Sequence, residues 1–163
     1  MTQRVLIVGS VAVDDITTPN ASHKGLLGGS AIYGSVAASR FAPVDIVGVA
    51  GDDFPDQYIR DLNAMGVRTE GLEIVPEGTT FHWAGEYKGE MNEAVMIQTD
   101  LGVFGEFSPA IPDDYRHDGF VFLANIDPEL QLTVLEQVAR PQLTILDSMN
   151  LWINIKREKL IEV

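Results

Sequence analysis

The sequence predicts an α/β fold, a parallel sheet with flanking helices and a small inserted β lid. Three observations carry this: four short apolar runs with the composition of buried strands, helical segments alternating with them, and one hairpin that breaks the alternation. Residues 4–8 are a β-branched and leucine run that ends in Gly9-Ser10, the pattern of a central parallel strand opening into an active-site loop. Residues 30–40 follow with helical spacing. A second strand is predicted at 45–49, and a second helix at 55–65, stopped by Gly66. Two strands at 79–87 and 93–99 then flank Lys88-Gly-Glu-Met-Asn92. Such a hairpin cannot easily join a parallel core, so it is expected to project as a lid over a ligand, spanning about residues 79–99. The alternation resumes with a strand at 119–123, a helix at 128–138 that stops before Pro141, and a strand at 143–147. Residues 151–163 open one more helix with no following strand. That end reads either as a terminal helix packed on the sheet or as a chain cut inside a larger fold.

Composition narrows the function classes. The 163 residues, 45% of them hydrophobic, suit one domain with a sizeable core, so residues 1–163 are read as a single unit rather than a disordered chain or a two-domain enzyme. A net charge of −13 repels phosphate backbones and anionic headgroups, and the densest basic run is only Lys156, Arg157 and Lys159. No nucleic-acid or membrane partner is expected. With no cysteine, the chain has no disulfide framework, thiolate zinc site or cysteine nucleophile. The apolar opening is too short for a membrane span and runs into Asp14-Asp15 instead of a cleavage site, leaving the cytoplasm as the default location.

The segment from Gly25 to Arg40 is the richest in motifs. Gly28 and Gly29 place bare backbone at a helix N-terminus, where N–H groups can approach a ligand's oxygens, and Ala31, Gly34, Ala37 and Ala38 let the helix press on the sheet. A tight turn with ordinary close packing is the plainer alternative. Asp14 and Asp15 stand just beyond the carboxyl end of the first strand, the edge at which open α/β sheets bind ligands. A buried carboxylate there can accept two hydroxyl hydrogen bonds from a polyol; alternatively it caps a helix or lies in a solvated turn. Alternation with Val11 and Val13 favours Asp14 as the inward one. Asp52 and Asp53 are read as caps of the next helix ahead of metal ligands. Phe81 and Trp83 share one face of the hairpin, either to close over a ring or to form the apolar underside of a lid. His23, His82 and His117 are scattered and read as surface residues, and no phosphate loop, complete dinucleotide fingerprint, zinc helix or nucleophile elbow occurs.

Taken together, Val8-Gly-Ser-Val-Ala-Val-Asp14, Gly28-Gly-Ser-Ala31, Val47-Gly-Val-Ala-Gly-Asp-Asp53 and Leu62-Asn-Ala-Met-Gly-Val67 followed by Thr69 resemble, in order and spacing, the N-terminal half of the ribokinase family of PfkB-type carbohydrate kinases. Leu123-Ala-Asn-Ile-Asp-Pro128 and Asp147-Ser-Met-Asn-Leu-Trp152 are similar to later strand ends of a bacterial subgroup of sugar kinases. The resemblance covers essentially the whole chain. It implies ATP-dependent phosphoryl transfer to a hydroxymethyl group of a sugar or nucleoside, with a small β lid over the acceptor. Asp14 would then bind acceptor hydroxyls, and Gly28, Gly29 and Ser30 would approach the sugar. Asn125 would lie in the acceptor site, and Phe81 and Trp83 would belong to the lid.

Tyr33 stands where ribokinase itself has Asn in a G-G-x-x-x-N pattern, and its phenol can hydrogen-bond or stack on a ring. The family's D-T-x-G-A-G-D signature, which supplies the catalytic base and anion hole, and its magnesium-associated Asn-x-x-Glu motif do not occur in these 163 residues. The resemblance therefore implies a partial ribokinase-like domain. ATP and Mg2+ are expected for the full-length family, but their sites, the metal site and the catalytic residues are not expected in this chain. The isolated chain is expected to be inactive, with a homodimer or the missing C-terminal half as its partner. The alternative is a non-catalytic polyol-binding or self-associating fragment.

Overall fold

The computed structural model describes residues 3–163. Its main sheet has five parallel strands, β1 (Val5–Val8), β4 (Val44–Gly51), β5 (Val67–Val75), β8 (Phe120–Leu123) and β9 (Leu143–Leu146), in the order β5-β4-β1-β8-β9. Parallel strands need helices on both faces, and the residues of β1 divide accordingly. Ile7 packs with Ile32, Ile46 and Leu62 beneath α1 (Ser30–Ala38) and α2 (Asp56–Ala64). Leu6 and Val8 pack with Val47, Leu123, Tyr115 and Val134 on the other face, against α3 (Pro128–Gln137) and the turns before β8. The side chain of Asp127 caps α3 by accepting the Glu129 N–H at 3.0 Å, and Pro128 occupies its first turn.

A second sheet stands beside the first, with strand order β3-β2-β6-β7. Here β2 is Ala12–Thr17, β3 Ser22–Gly28, β6 Phe81–Tyr87 and β7 Ala94–Asp100. The predicted hairpin is present as the antiparallel β6-β7 pair, but it is half of a larger sheet: β6 pairs in parallel with β2, so Asp14 lies directly opposite Trp83. The segment read as a loop after the first strand is thus itself a strand. Its two adjacent aspartates, and the polar Ser22, His23 and Lys24 of β3, hid it from a reading that looks for apolar runs. Strand β5 escaped for a related reason, because it is an edge strand whose Arg68, Glu70 and Glu73 break the apolar pattern.

The three predicted helices are found within two residues of their predicted ends. The fourth divides into α4 (Asn150–Ile155) and α5 (Arg157–Glu162) at Lys156, whose ammonium pairs with Asp127 at 2.6 Å and Glu129 at 2.7 Å. Lys159 pairs with Glu162, so two of the three cations in the basic run are already matched.

Asp52 and Asp53 do not cap α2, whose N-cap position is Pro55 and which has no side-chain cap. Asp52 accepts the Glu77 N–H, and Asp53 accepts both the N–H and the hydroxyl of Thr80, whose oxygen accepts the Gly51 N–H. The two acids therefore fasten the start of β6 to the end of β4 and fix where the second sheet stands. Among the described residues no helix is long and apolar enough to cross a membrane.

Candidate acceptor site

The two sheets meet at the carboxyl ends of β1 and β8, and a serine clasp holds the junction. Ser30 Oγ lies 2.9 Å from Ser10 Oγ and donates to the Asn125 carbonyl at 3.1 Å, while the Ser30 N–H donates to Ser10 Oγ at 2.9 Å. One residue at the start of α1 thus joins three chain segments. Its hydroxyl is engaged in that clasp, so Ser30, read from sequence as a ligand-binding residue, shapes the site through the backbone.

Gly29 precedes it with φ +98°, a left-handed region in which an L side chain is strained, and a side chain there would run into the Ser10 carbonyl. A Cβ on Gly28 would collide with the Asp14 carboxylate. The paired glycines are therefore required by close approach: they let β3 and the start of α1 close around Asp14.

A cavity of about 520 Å³ opens at this junction, and Asp14, Gly29, Ser30, Tyr33, Phe81, Trp83 and Asn125 all line it. Seven of the eight residues singled out in the sequence are in that wall, and the eighth, Gly28, touches the wall from behind through Asp14. Ala12, Gly34, Phe122 and Asp147 complete it. Asp147 sits just past β9, the next strand end along the sheet, and the rule that ligands bind at carboxyl ends of parallel strands was the signal for it.

Asp14 is only 7% exposed. Burial, opposed in part by His82 and the Tyr33 phenol, raises its carboxyl above the ordinary Asp value. Tyr33 is raised too, by its own partial burial and by the Asp14 and Tyr87 charges, so it stays a hydrogen-bond donor at neutral pH. The opposite face of β2 carries Asp15, which accepts the Gly25 N–H at 2.8 Å and lies 3.5 Å from His82 Nε2. Asp15 is thus a strut of the β2–β3 pair, and the inward choice between the two acids is Asp14.

Across the cavity, the buried Asn125 Oδ1 has no hydrogen-bond partner among the described residues. The end of β8 that carries it is held by Gln131 of α3, a fully buried side chain whose amide donates to the carbonyls of Leu123, Ala124 and Asp147 at 3.3, 3.0 and 3.1 Å. Gln131 thereby sets the spacing between the strand ends bearing Asn125 and Asp147. Among the described residues no group of three or more His, Asp or Glu could hold a metal ion. An open cavity with one buried carboxylate and four aromatic rings in its wall is suited to gripping a small polyhydroxylated molecule.

No protein-family model matches the chain. A cytidine kinase of Thermococcus kodakarensis is 27% identical over 145 residues, covering 86% of this chain and 50% of the relative. Among solved structures, a Methanocaldococcus jannaschii nucleoside kinase, described as an archaeal member of the ribokinase family, superposes on 98% of this chain and 57% of its own, with a TM-score of 0.71 and 19% identity. Arabidopsis thaliana ribokinase complexed with ribose and ATP covers 90% of this chain and 54% of its own, with a TM-score of 0.69 and 20% identity. The chain has the ribokinase-like α/β fold, and it spans about half the length of the relatives it matches.

Proposed function

We propose that this chain is the acceptor-binding half of an ATP-dependent kinase that phosphorylates a hydroxymethyl group of a sugar or nucleoside. The observation that carries the reading is Asp14: a buried carboxylate on the cavity face of the second sheet, at the carboxyl ends of the parallel strands, with paired glycines packed against it. The kinase names of the relatives support the same reading.

In this account Asp14 accepts hydrogen bonds from two acceptor hydroxyls, and the second sheet roofs the bound molecule as a lid. ATP supplies the phosphoryl group. Phosphoryl transfer depends largely on positioning and charge neutralisation, so what these residues contribute is orientation of the acceptor and exclusion of water. The base, anion hole and nucleotide site are expected in residues outside this sequence, with the cytoplasm, where ATP is at hand, as the setting.

Thermal unfolding with and without acceptor tests the assignment. Pentoses or nucleosides at saturating concentration are expected to raise the melting temperature, and Asp14→Ala to remove that rise. An unchanged rise in Asp14→Ala would refute the role of Asp14. A second reading, a non-catalytic polyol-binding or self-associating fragment, draws on β9, whose four residues are all exposed. In that case a mixture with the C-terminal half of a related kinase gains no phosphoryl transfer.

A further inference from the structure

The cavity is chemically two-sided. Asp14, Asn125 and Asp147 supply polar groups, while Phe81, Trp83 and Phe122 present hydrocarbon. A free pentose carries hydroxyls around its whole ring, and any placed against Trp83 or Phe122 would lose water without gaining a partner. A molecule that is hydroxylated at one end and flat and aromatic at the other matches both sides.

Two features show that the aromatic side is built as a platform. The Trp83 indole lies back against Gly85 two residues along the same strand face, where a Cβ would collide with the six-membered ring. The strand backbone therefore supports the ring from behind. Phe81 is occupied elsewhere, stacked on Phe104 with centroids 5.3 Å apart and planes at 10°, and Phe104 in turn stacks on Phe107. That aromatic column anchors β6 to the body of the protein, while Trp83, which has no such aromatic partner, lines the cavity beside it.

Spacing supplies the second argument. Asp14 and Trp83 are register partners on adjacent strands, so their backbones lie about 4.8 Å apart. A carboxylate and a ring platform that close together engage neighbouring parts of one small molecule. A ribose and the base joined to it by a single glycosidic bond have that adjacency. Tyr33, 55% exposed, stands at the cavity wall with its phenol toward Asp14.

We infer that the acceptor is a nucleoside, its ribose hydroxyls held by Asp14 and its base stacked on the Trp83 indole that Gly85 supports. This rests on the proposed acceptor site and narrows it from the sugar-or-nucleoside class. Gly85→Ala is the informative variant, because the added methyl displaces the indole while leaving Asp14, Asn125 and the glycine pair untouched.

Isothermal titration of the 163-residue chain with ribose, uridine and adenosine tests it. Stacking of this kind is expected to make at least one nucleoside bind roughly 10–100-fold more tightly than ribose. Gly85→Ala, and Trp83→Leu as a variant that needs no backbone adjustment, are expected to erase most of that preference while leaving ribose affinity within about twofold. Ribose binding as tightly as both nucleosides, or a nucleoside preference intact in both variants, overturns the inference and leaves the acceptor site standing. Binding of none of the three overturns both.

Discussion

Asp14, in the second sheet, and Asp118, just before β8 of the main sheet, show how the same residue type does different work in one molecule. Burial raises Asp14, so acceptor affinity is expected to fall on acidification at a pH above that at which an exposed aspartate, near 3.9, would titrate. A pH series of acceptor titrations checks this, and Asp14→Asn should flatten it. In the main sheet, Arg4 and Arg68 converge on the fully buried Asp45. Burial pushes Asp45 up, but hydrogen bonds from Arg68 and Arg4 outweigh it and hold the carboxyl below its ordinary range. Asp118, beside it, is left with Oδ2 buried and unpartnered, and burial together with the Asp45 charge pushes it up to about 7. Because Asp118 titrates near 3.9 when unfolded, the folded chain holds an extra proton between that pH and about 7. Its contribution to stability is therefore complete below about 3.9 and is lost as the pH rises through about 7. Denaturant unfolding from pH 5 to 8 is expected to show a decline in wild type that Asp118→Asn removes. A decline of the same slope in the variant would assign it to other groups.

At the scale of elements, the glycine pair and Gln131 are the joints that hold the site. Gly28→Ala drives a methyl into the Asp14 carboxylate, and Gly29→Ala adds strain at φ +98°. Each is expected to cost about 1–3 kcal/mol of stability, and Gly28→Ala to weaken acceptor binding as well by moving Asp14. Gln131→Leu leaves three strand-end carbonyls without their shared donor, at a cost of about 1–3 kcal/mol by urea unfolding. The sequence made some of these elements legible and concealed others, for physical reasons. Parallel strands buried on both faces announce themselves as apolar runs, so β1, β4 and β8 were readable, and β9 was readable from the same apolar composition although its four residues are exposed. Strands β2 and β3 were not, because one face of their sheet lines a polar site and their residues alternate too weakly. Paired glycines and an aspartate at a strand end are local signals, and they led to the cavity. The pairing of Asp14 with Trp83 across β2 and β6 is a long-range register, which no local pattern encodes. The same limit hid Asp52 and Asp53, whose true partners, Glu77 and Thr80, lie about 25 residues away.

The whole molecule has one finished side and one open side. Strand β5 is covered by α2, yet at the opposite edge all four residues of β9 are exposed. Beside β9 lies an apolar groove of about 450 Å³ lined by Ile7, Phe41, Phe122, Ile145 and their neighbours, with Phe41 93% exposed. Unpaired strand edges and contiguous apolar surface promote association. Sedimentation of the 163-residue chain is therefore expected to show mass rising with concentration, and Ile145→Lys to suppress it without changing acceptor binding. Under the proposed function, catalysis is expected to need a nucleotide site in addition to this acceptor site. The central proposal is that the chain carries an acceptor site centred on Asp14, separate from any nucleotide site. It is tested most directly by backbone amide NMR of the labelled chain titrated separately with a nucleoside and with ATP and magnesium. The account predicts nucleoside-induced shifts confined to residues 12–14, 28–33, 81–85 and 125, and no saturable shifts there with ATP. Shifts at those residues with ATP, or nucleoside shifts centred on the groove around Phe41 and Ile145, would contradict it.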